Sequence, residues 1–183
     1  MAVELRQWRL EDAGAQARII EESLDHLRPW MAWAAEWPKP REEQLEMLRE
    51  WERRRLAGKD EFLGVWLDGE LVGSCGLHFR IGAAGAEIGY WIHVDHLRRG
   101  LATEVARQLT ERAFADPAVD RVEIHHDRAN VASGGVPPKL GFEHVSDTPR
   151  APNAPGEEGV ERVWRISRPA WTARRASPPP GRS

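Results

Sequence analysis

A single cysteine, Cys75, is all the thiol that this 183-residue sequence carries, which excludes an internal disulfide and any metal site built on several thiolates. Its setting, LVGSCGLHF, reads as a strand holding a small apolar residue. Long apolar runs are missing as well. Nothing approaches the ~18 consecutive apolar residues of a membrane span, and the opening MAVELRQWRLED puts acids where a signal peptide needs an apolar stretch. The expectation is a cytoplasmic protein with no membrane partner. Positive charge is not in surplus either: the net charge is −3, and the final stretch TARRASPPPGRS holds three arginines and no acid, leaving about −6 by count on residues 1–171. No basic stripe runs through that body, so no nucleic-acid partner is expected.

What remains is enough for one core and one site, a single domain over 1–171 followed by a disordered Arg- and Pro-rich tail, 172–183. Val3 to Trp8 alternates as a strand. Ala13, Ala17, Ile20, Leu24 and Leu27 recur at helical spacing up to Pro29. LRPWMAWAAEWPKP, Leu27 to Pro40, is too interrupted for more than a loop or broken helix, and Arg41 to Ala57 forms the next helix, ended by Gly58. Asp68-Gly69 joins two strands, Glu61 to Leu67 and Glu70 to Phe79, in a hairpin. A strand over Ala86 to Val94, a helix over His96 to Ala115 and a strand over Val119 to His126 make a crossover, hence a parallel pair in a mostly antiparallel sheet. Asn130 to Leu140 is a short helix distorted by Gly134, Gly135, Pro137 and Pro138. Phe142 to Val145 and Val160 to Ile166 are the last strands, with Asp147 to Gly159 a mobile loop between them.

The chemistry concentrates in EIGYWIHVDHLRRGLATEVARQL, Glu87 to Leu109. Gly100 bends the chain so that amides from Arg99 to Thr103 converge at a helix N-terminus, and Arg98 and Arg99 add fixed positive charge, which suits a pyrophosphate. An ordinary helix start with two solvated arginines fits the same residues. His125 and His126, adjacent on a strand, face opposite ways, and no metal is expected.

Taken together, AEIGYW at 86–91, RRGLAT at 98–103, Asn130-x-x-Ser133 and Lys139-Leu-Gly-Phe142 resemble the GCN5-related N-acetyltransferase (GNAT) superfamily, most of all its branch of Rim-type ribosomal-protein acetyltransferases. The resemblance runs from about Val3 to Arg168. It implies an α/β (α+β) fold, a mixed, mostly antiparallel twisted sheet of about seven strands with a central parallel pair splayed apart, and about four helices. It implies acetyl-CoA as donor, held by main-chain groups of Ile92 and Val94 and by Arg98, Arg99, Gly100, Leu101, Ala102 and Thr103, with Asn130 at the cofactor. Leu97 departs from the family, standing where Gln or Arg is expected, with Arg98 and Arg99 in position to compensate.

Acetyl transfer to an amine requires a neutral amine, a polarised carbonyl and a proton for the departing thiolate. The resemblance points to Glu87 as base and Ser133 as proton donor. Strand alternation puts Glu87, Gly89, Trp91 and His93 on one face. Trp30, Trp33, Trp37 and Trp91, with Glu157 and Glu158, are the expected acceptor-binding residues, though core packing and loop anchoring explain the first three tryptophans equally. The function expected is direct transfer in a ternary complex. The acceptor is a small cationic amine, aminoglycoside-like and therefore tied to antibiotic resistance, or a polyamine, or else a protein or peptide N-terminus. Family habit also admits a homodimer. The competing reading is an acyl-CoA-binding sensor or partner module without turnover.

Overall fold

The computed structural model describes residues 2–176. Seven strands form one sheet in the order β1-β2-β3-β4-β5-β7-β6. They are β1 (Val3–Gln7), β2 (Asp60–Leu67), β3 (Glu70–His78), β4 (Gly85–Ile92), β5 (Arg121–Asp127), β6 (Glu143–Pro149) and β7 (Val160–Ser167). Neighbours are antiparallel except β4 and β5, which the crossover helix makes parallel. That pair is joined only at Gly85–Arg121, Ala86–Val122 and Glu87–Glu123. Beyond Glu87 the two strands part, β4 continuing along β3 and β5 along β7.

Among the described residues six α-helices flank the sheet: α1 (Ala13–Glu22), α2 (Leu24–Leu27), α3 (Arg41–Leu56), α4 (Leu101–Ala115), α5 (Val131–Gly134) and α6 (Arg168–Ala176). The apolar stripe of α4, Leu101, Val105, Leu109 and Ala113, is fully buried with Val72, Ile88, Val122 and Ile124 of the sheet. Removing such side chains from water is worth ~1.5–3 kcal/mol each. A smaller cluster of Ala17, Ile20, Leu27, Ala34 and Trp37 lies with α1 and α2, and Trp33 and Trp91 pack against it.

Several expectations need adjusting. The first helix breaks at Ser23 (ψ near 4°) into α1 and α2. Asp147 to Gly159 is not a mobile loop. Its first residues complete β6, and the rest is tied down by the buried Asp127 carboxylate, which accepts the N–H groups of Glu158, Gly159 and Val160 at 3.0–3.1 Å. The last helix crosses the expected boundary at 171: α6 runs to Ala176 with Trp171 in the main core, and the rest of the expected tail lies outside the described residues. Among the described residues no helix is long and apolar enough to cross a membrane.

Candidate active site

The parting of β4 and β5 leaves one edge of β4 without a strand partner from Ile88 onward. Direction follows from alternation. His93 donates its N–H to Val72 O in β3, so the N–H and C=O groups of Ile92 and, two residues back, Tyr90 point the other way, into the gap. A ligand with an extended amide chain can pair there as a strand would. Val94 is different from expectation: it has left the strand for a short 3-10 turn, and its N–H is taken by Ser23 Oγ at 3.2 Å.

At the same end of β4 the chain turns through Arg98 (φ 57°) and Gly100 (φ 80°), both left-handed. Gly100 caps α4 without any side-chain hydrogen bond. The first-turn amides of Leu101, Ala102 and Thr103, which no helix can satisfy internally, therefore stay available to an anion. Arg99 reaches His96 Nδ1 at 3.0 Å, bracing the turn.

On the opposite face of the sheet from α4 lies a cleft of about 980 Å³. It gathers Trp30, Trp33, Trp37, Glu87, Trp91, Asn130, Ser133 and Glu157 from four separate stretches of chain. Its floor is short of side chains. Gly76 of β3 stands opposite Gly89 of β4, and a Cβ placed on Gly89 would meet nothing within 4 Å. Trp33 packs on Trp91 with centroids 6.2 Å apart, whereas Trp37 is only 3% exposed and belongs mainly to the second core cluster.

The proposed catalytic pair is placed as follows. Glu87 is gripped by Arg80 through two hydrogen bonds of 2.7 and 2.8 Å. Burial alone would raise its pKa, but the guanidinium outweighs it and holds the carboxyl below the usual range. Ser133 sits in the first turn of α5, its N–H accepted by Asn130 Oδ1 at 3.1 Å, so that Asn130 is the helix cap. Beside Ser133 lies the Tyr90 hydroxyl, buried and closing no hydrogen bond of its own. Burial pushes that phenol well up, an effect the Ser133 hydroxyl only partly offsets.

The expected acceptor carboxylates are otherwise engaged. Glu157 binds Arg150 at 2.8 and 3.0 Å and accepts the N–H groups of Asn153 and Ala154, so it builds its own loop. Glu158 is outside the cleft lining and pairs with Arg128 at 2.7 Å. Sequence reasoning missed Asp60, a 5%-exposed carboxylate in the cleft that binds both Arg54 and His78, and it missed Gln16, 1% exposed, whose amide has no partner.

A sheet split beside its one parallel pair, a glycine-capped amide cradle at the mouth of the split and a cleft on the acceptor side together define an acetyl-CoA-dependent N-acetyltransferase. The chain belongs to the acetyltransferase (GNAT) domain family, whose model matches residues 2–143. A relative from Bacillus subtilis (strain 168), YdaF, named as a candidate ribosomal N-acetyltransferase, is 29% identical over 143 residues, 76% of this chain and 77% of that protein. RimL, a ribosomal L7/L12 alpha-N-protein acetyltransferase solved with coenzyme A, superposes with a TM-score of 0.83 at 16% identity, covering 91% of this chain and 94% of its own. Mycobacterium smegmatis RimJ, solved with a CoA-disulfide, gives 0.81 at 24% identity, covering 91% and 82%. At those identities the two structures speak for the fold.

Proposed function

We propose that the enzyme acetylates the α-amine of a protein or peptide N-terminus, a ribosomal protein in the first instance, by direct transfer from acetyl-CoA in a ternary complex. The observation that carries this reading is the state of the cleft's carboxylates. Of the acids lining the cleft, Glu46, Glu50, Asp60, Glu87, Glu157 and Glu161 each face an arginine and Glu36 faces Lys39, so most of the negative charge that the several ammonium groups of an aminoglycoside or polyamine would need is already matched. A single amine at the end of a chain suits a long open cleft with a bare floor at Gly89. The names of YdaF and RimL support the same acceptor class.

In this reading acetyl-CoA supplies the activated acyl group. The amides of Leu101 to Thr103, with Arg98 and Arg99, hold its pyrophosphate, and the main-chain groups of Ile92 hold its pantetheine arm. Ser133, with Tyr90 behind it, returns a proton to the thiolate. Glu87, fixed by Arg80, shapes the field at the acceptor end of the cleft.

The test follows thiol release from acetyl-CoA with peptides copying ribosomal-protein N-termini, N-terminally blocked versions of them, polyamines and aminoglycosides, with coenzyme A binding measured by calorimetry in parallel. Turnover is expected with free N-termini only. Turnover confined to polyamines or aminoglycosides overturns the acceptor class, and binding without any turnover favours the sensor reading.

A further inference from the structure

We infer that His78 is the group that accepts the proton of the acceptor amine, positioned by Asp60. The inference rests on the acetyl-transfer reading above and adds a residue that none of the sequence motifs contains.

The geometry is that of an oriented imidazole. Asp60 opens β2 and His78 closes β3, and the hairpin register sets them opposite each other. Asp60 Oδ1 lies 2.9 Å from His78 Nδ1, while the other carboxylate oxygen is bound by Arg54 of α3. A carboxylate only accepts, so Nδ1 carries the hydrogen and Nε2 is left with its lone pair. No hydrogen bond to Nε2 is present among the described residues. Phe62, also on β2, packs edge-on against the ring with centroids 5.1 Å apart and limits its rotation.

Nε2 points at the bare part of the floor. It would lie 2.7 Å from a Cβ on Gly76, so the ring is folded back over that glycine, which only a residue without a side chain allows. Gly76 is paired with Gly89, and facing positions on adjacent antiparallel strands stand about 5 Å apart. The open space above Gly89 is therefore within reach of Nε2, directly or through one water. Glu87 is two residues along the same strand face, with both oxygens turned to Arg80.

Charge decides between the two. His78 is faced by Asp60 from β2, which Arg54 from α3 binds in turn, by Arg80 from the β3–β4 turn and by Glu87 from β4. Burial dominates and lowers its pKa, Asp60 and Glu87 oppose that, and Arg80 reinforces it, so the ring is neutral at pH 7 and able to take a proton. An α-ammonium releases its proton near ~8, an ordinary histidine near ~6.5 and a carboxylate near ~4.3. The arginine-bound carboxylate of Glu87 is held below the carboxylate value and has both oxygens engaged, so it is the less available proton acceptor.

The step balances. The ammonium gives one proton to Nε2, which passes it to water, and the freed nitrogen lone pair forms the C–N bond to the thioester carbon. As the C–S bond breaks, the thiolate takes a proton from Ser133, which recovers one from the nitrogen through the cleft's water. Amide and free thiol result, with one proton released.

The experiment compares wild type with His78→Gln, using two peptides alike except that one ends in an ordinary α-amine and the other in an aminooxy group, already neutral at pH 7. The variant should lose about 100-fold or more in kcat with the α-amine and less than about 10-fold with the aminooxy peptide, at unchanged coenzyme A affinity. Equal losses with both peptides, or a rate within about threefold of wild type, overturn the inference. Should the variant not fold, ring-nitrogen NMR of wild type replaces it. The His78 titration midpoint has to coincide with the acidic limb of kcat, and a mismatch overturns the assignment. A wild type that releases no thiol with any amine removes the acetyl-transfer reading itself, and the base with it, which separates that failure from failure of His78 alone.

Discussion

Ser133 and Gly89 contribute to the site in opposite ways, one by a hydroxyl and the other by having no side chain. Ser133→Ala removes the proposed donor to the thiolate but leaves Tyr90, whose buried phenol stays protonated far into the alkaline range, close enough to act through water. We expect kcat to fall about 10- to 100-fold with KM for acetyl-CoA little changed, and the Tyr90→Phe, Ser133→Ala pair to fall further. Steady-state kinetics of the three proteins checks this, and a double variant no worse than Ser133→Ala removes Tyr90 from the relay. Gly89→Val puts two methyl groups into space that holds no atom within 4 Å of the Cβ position. The fold should tolerate it. Turnover of peptide acceptors should drop more than about 30-fold, because the nitrogen must occupy that space to reach the thioester. Retained turnover would place the acceptor elsewhere.

At the level of elements, Asp127 at the end of β5 fastens the segment before β7. Its carboxylate is 3% exposed and accepts four N–H groups, those of Ala129, Glu158, Gly159 and Val160. Burial by itself raises its pKa, but the four donors outweigh burial and hold it below the ordinary aspartate value. A depressed folded pKa means a contribution fully present above the unfolded value of about 3.9 and lost as pH falls through the folded one. Once corrected for intrinsic rates, exchange of the Glu158, Gly159 and Val160 amides should therefore accelerate below about pH 4, ahead of the core amides. In Asp127→Asn it should be fast already at pH 7, at a cost of about 1–3 kcal/mol for donors left without their acceptor. The sequence showed Pro, Gly and Glu in this stretch and suggested mobility, since a distant carboxylate that binds three successive amides leaves no local trace. The hairpin was legible for the contrary reason, because Asp68-Gly69 fixes a two-residue turn locally, and both residues do have positive φ. Its register was not. A two-residue turn alone would pair Asp60 with Leu77, but between Val65 and Trp66 the register shifts by one, leaving Val72 unpaired and bringing Asp60 opposite His78. The turn into α4 was readable from Gly100, which has the positive φ such a helix start needs. The occupied N–H of Val94 was not, because Ser23 lies 71 residues away.

Across the whole molecule, the sheet is two sheets joined at one end. β1 to β4 form one part and β5 to β7 the other, and three residue pairs connect them, Gly85–Arg121 to Glu87–Glu123. Packing of α4 over β4 and β5 adds to the connection, as do the hydrogen bonds of Arg121 to Ile81 O and Ala83 O and of the Gly156 N–H to Pro29 O. At the open end the main chain of Tyr90 and Ile92 faces the gap, with no strand partner there among the described residues, so a ligand laid along β4 would add hydrogen bonds to the fold. Coenzyme A at about 100 times its Kd should stabilise the protein by about 2.7 kcal/mol, from mass action alone, which thermal unfolding can read. Amide exchange says where that energy acts. If the pantetheine arm lies in the gap, 88–92 of β4 should gain protection together with the 98–103 turn, because one ligand ties both parts of the sheet. Adenosine diphosphate, which has the pyrophosphate but no arm, should protect the turn and leave β4 as it was. Equal protection of β4 by both ligands would mean that the strand responds to the turn and not to an arm laid along it, and the gap would then need another occupant.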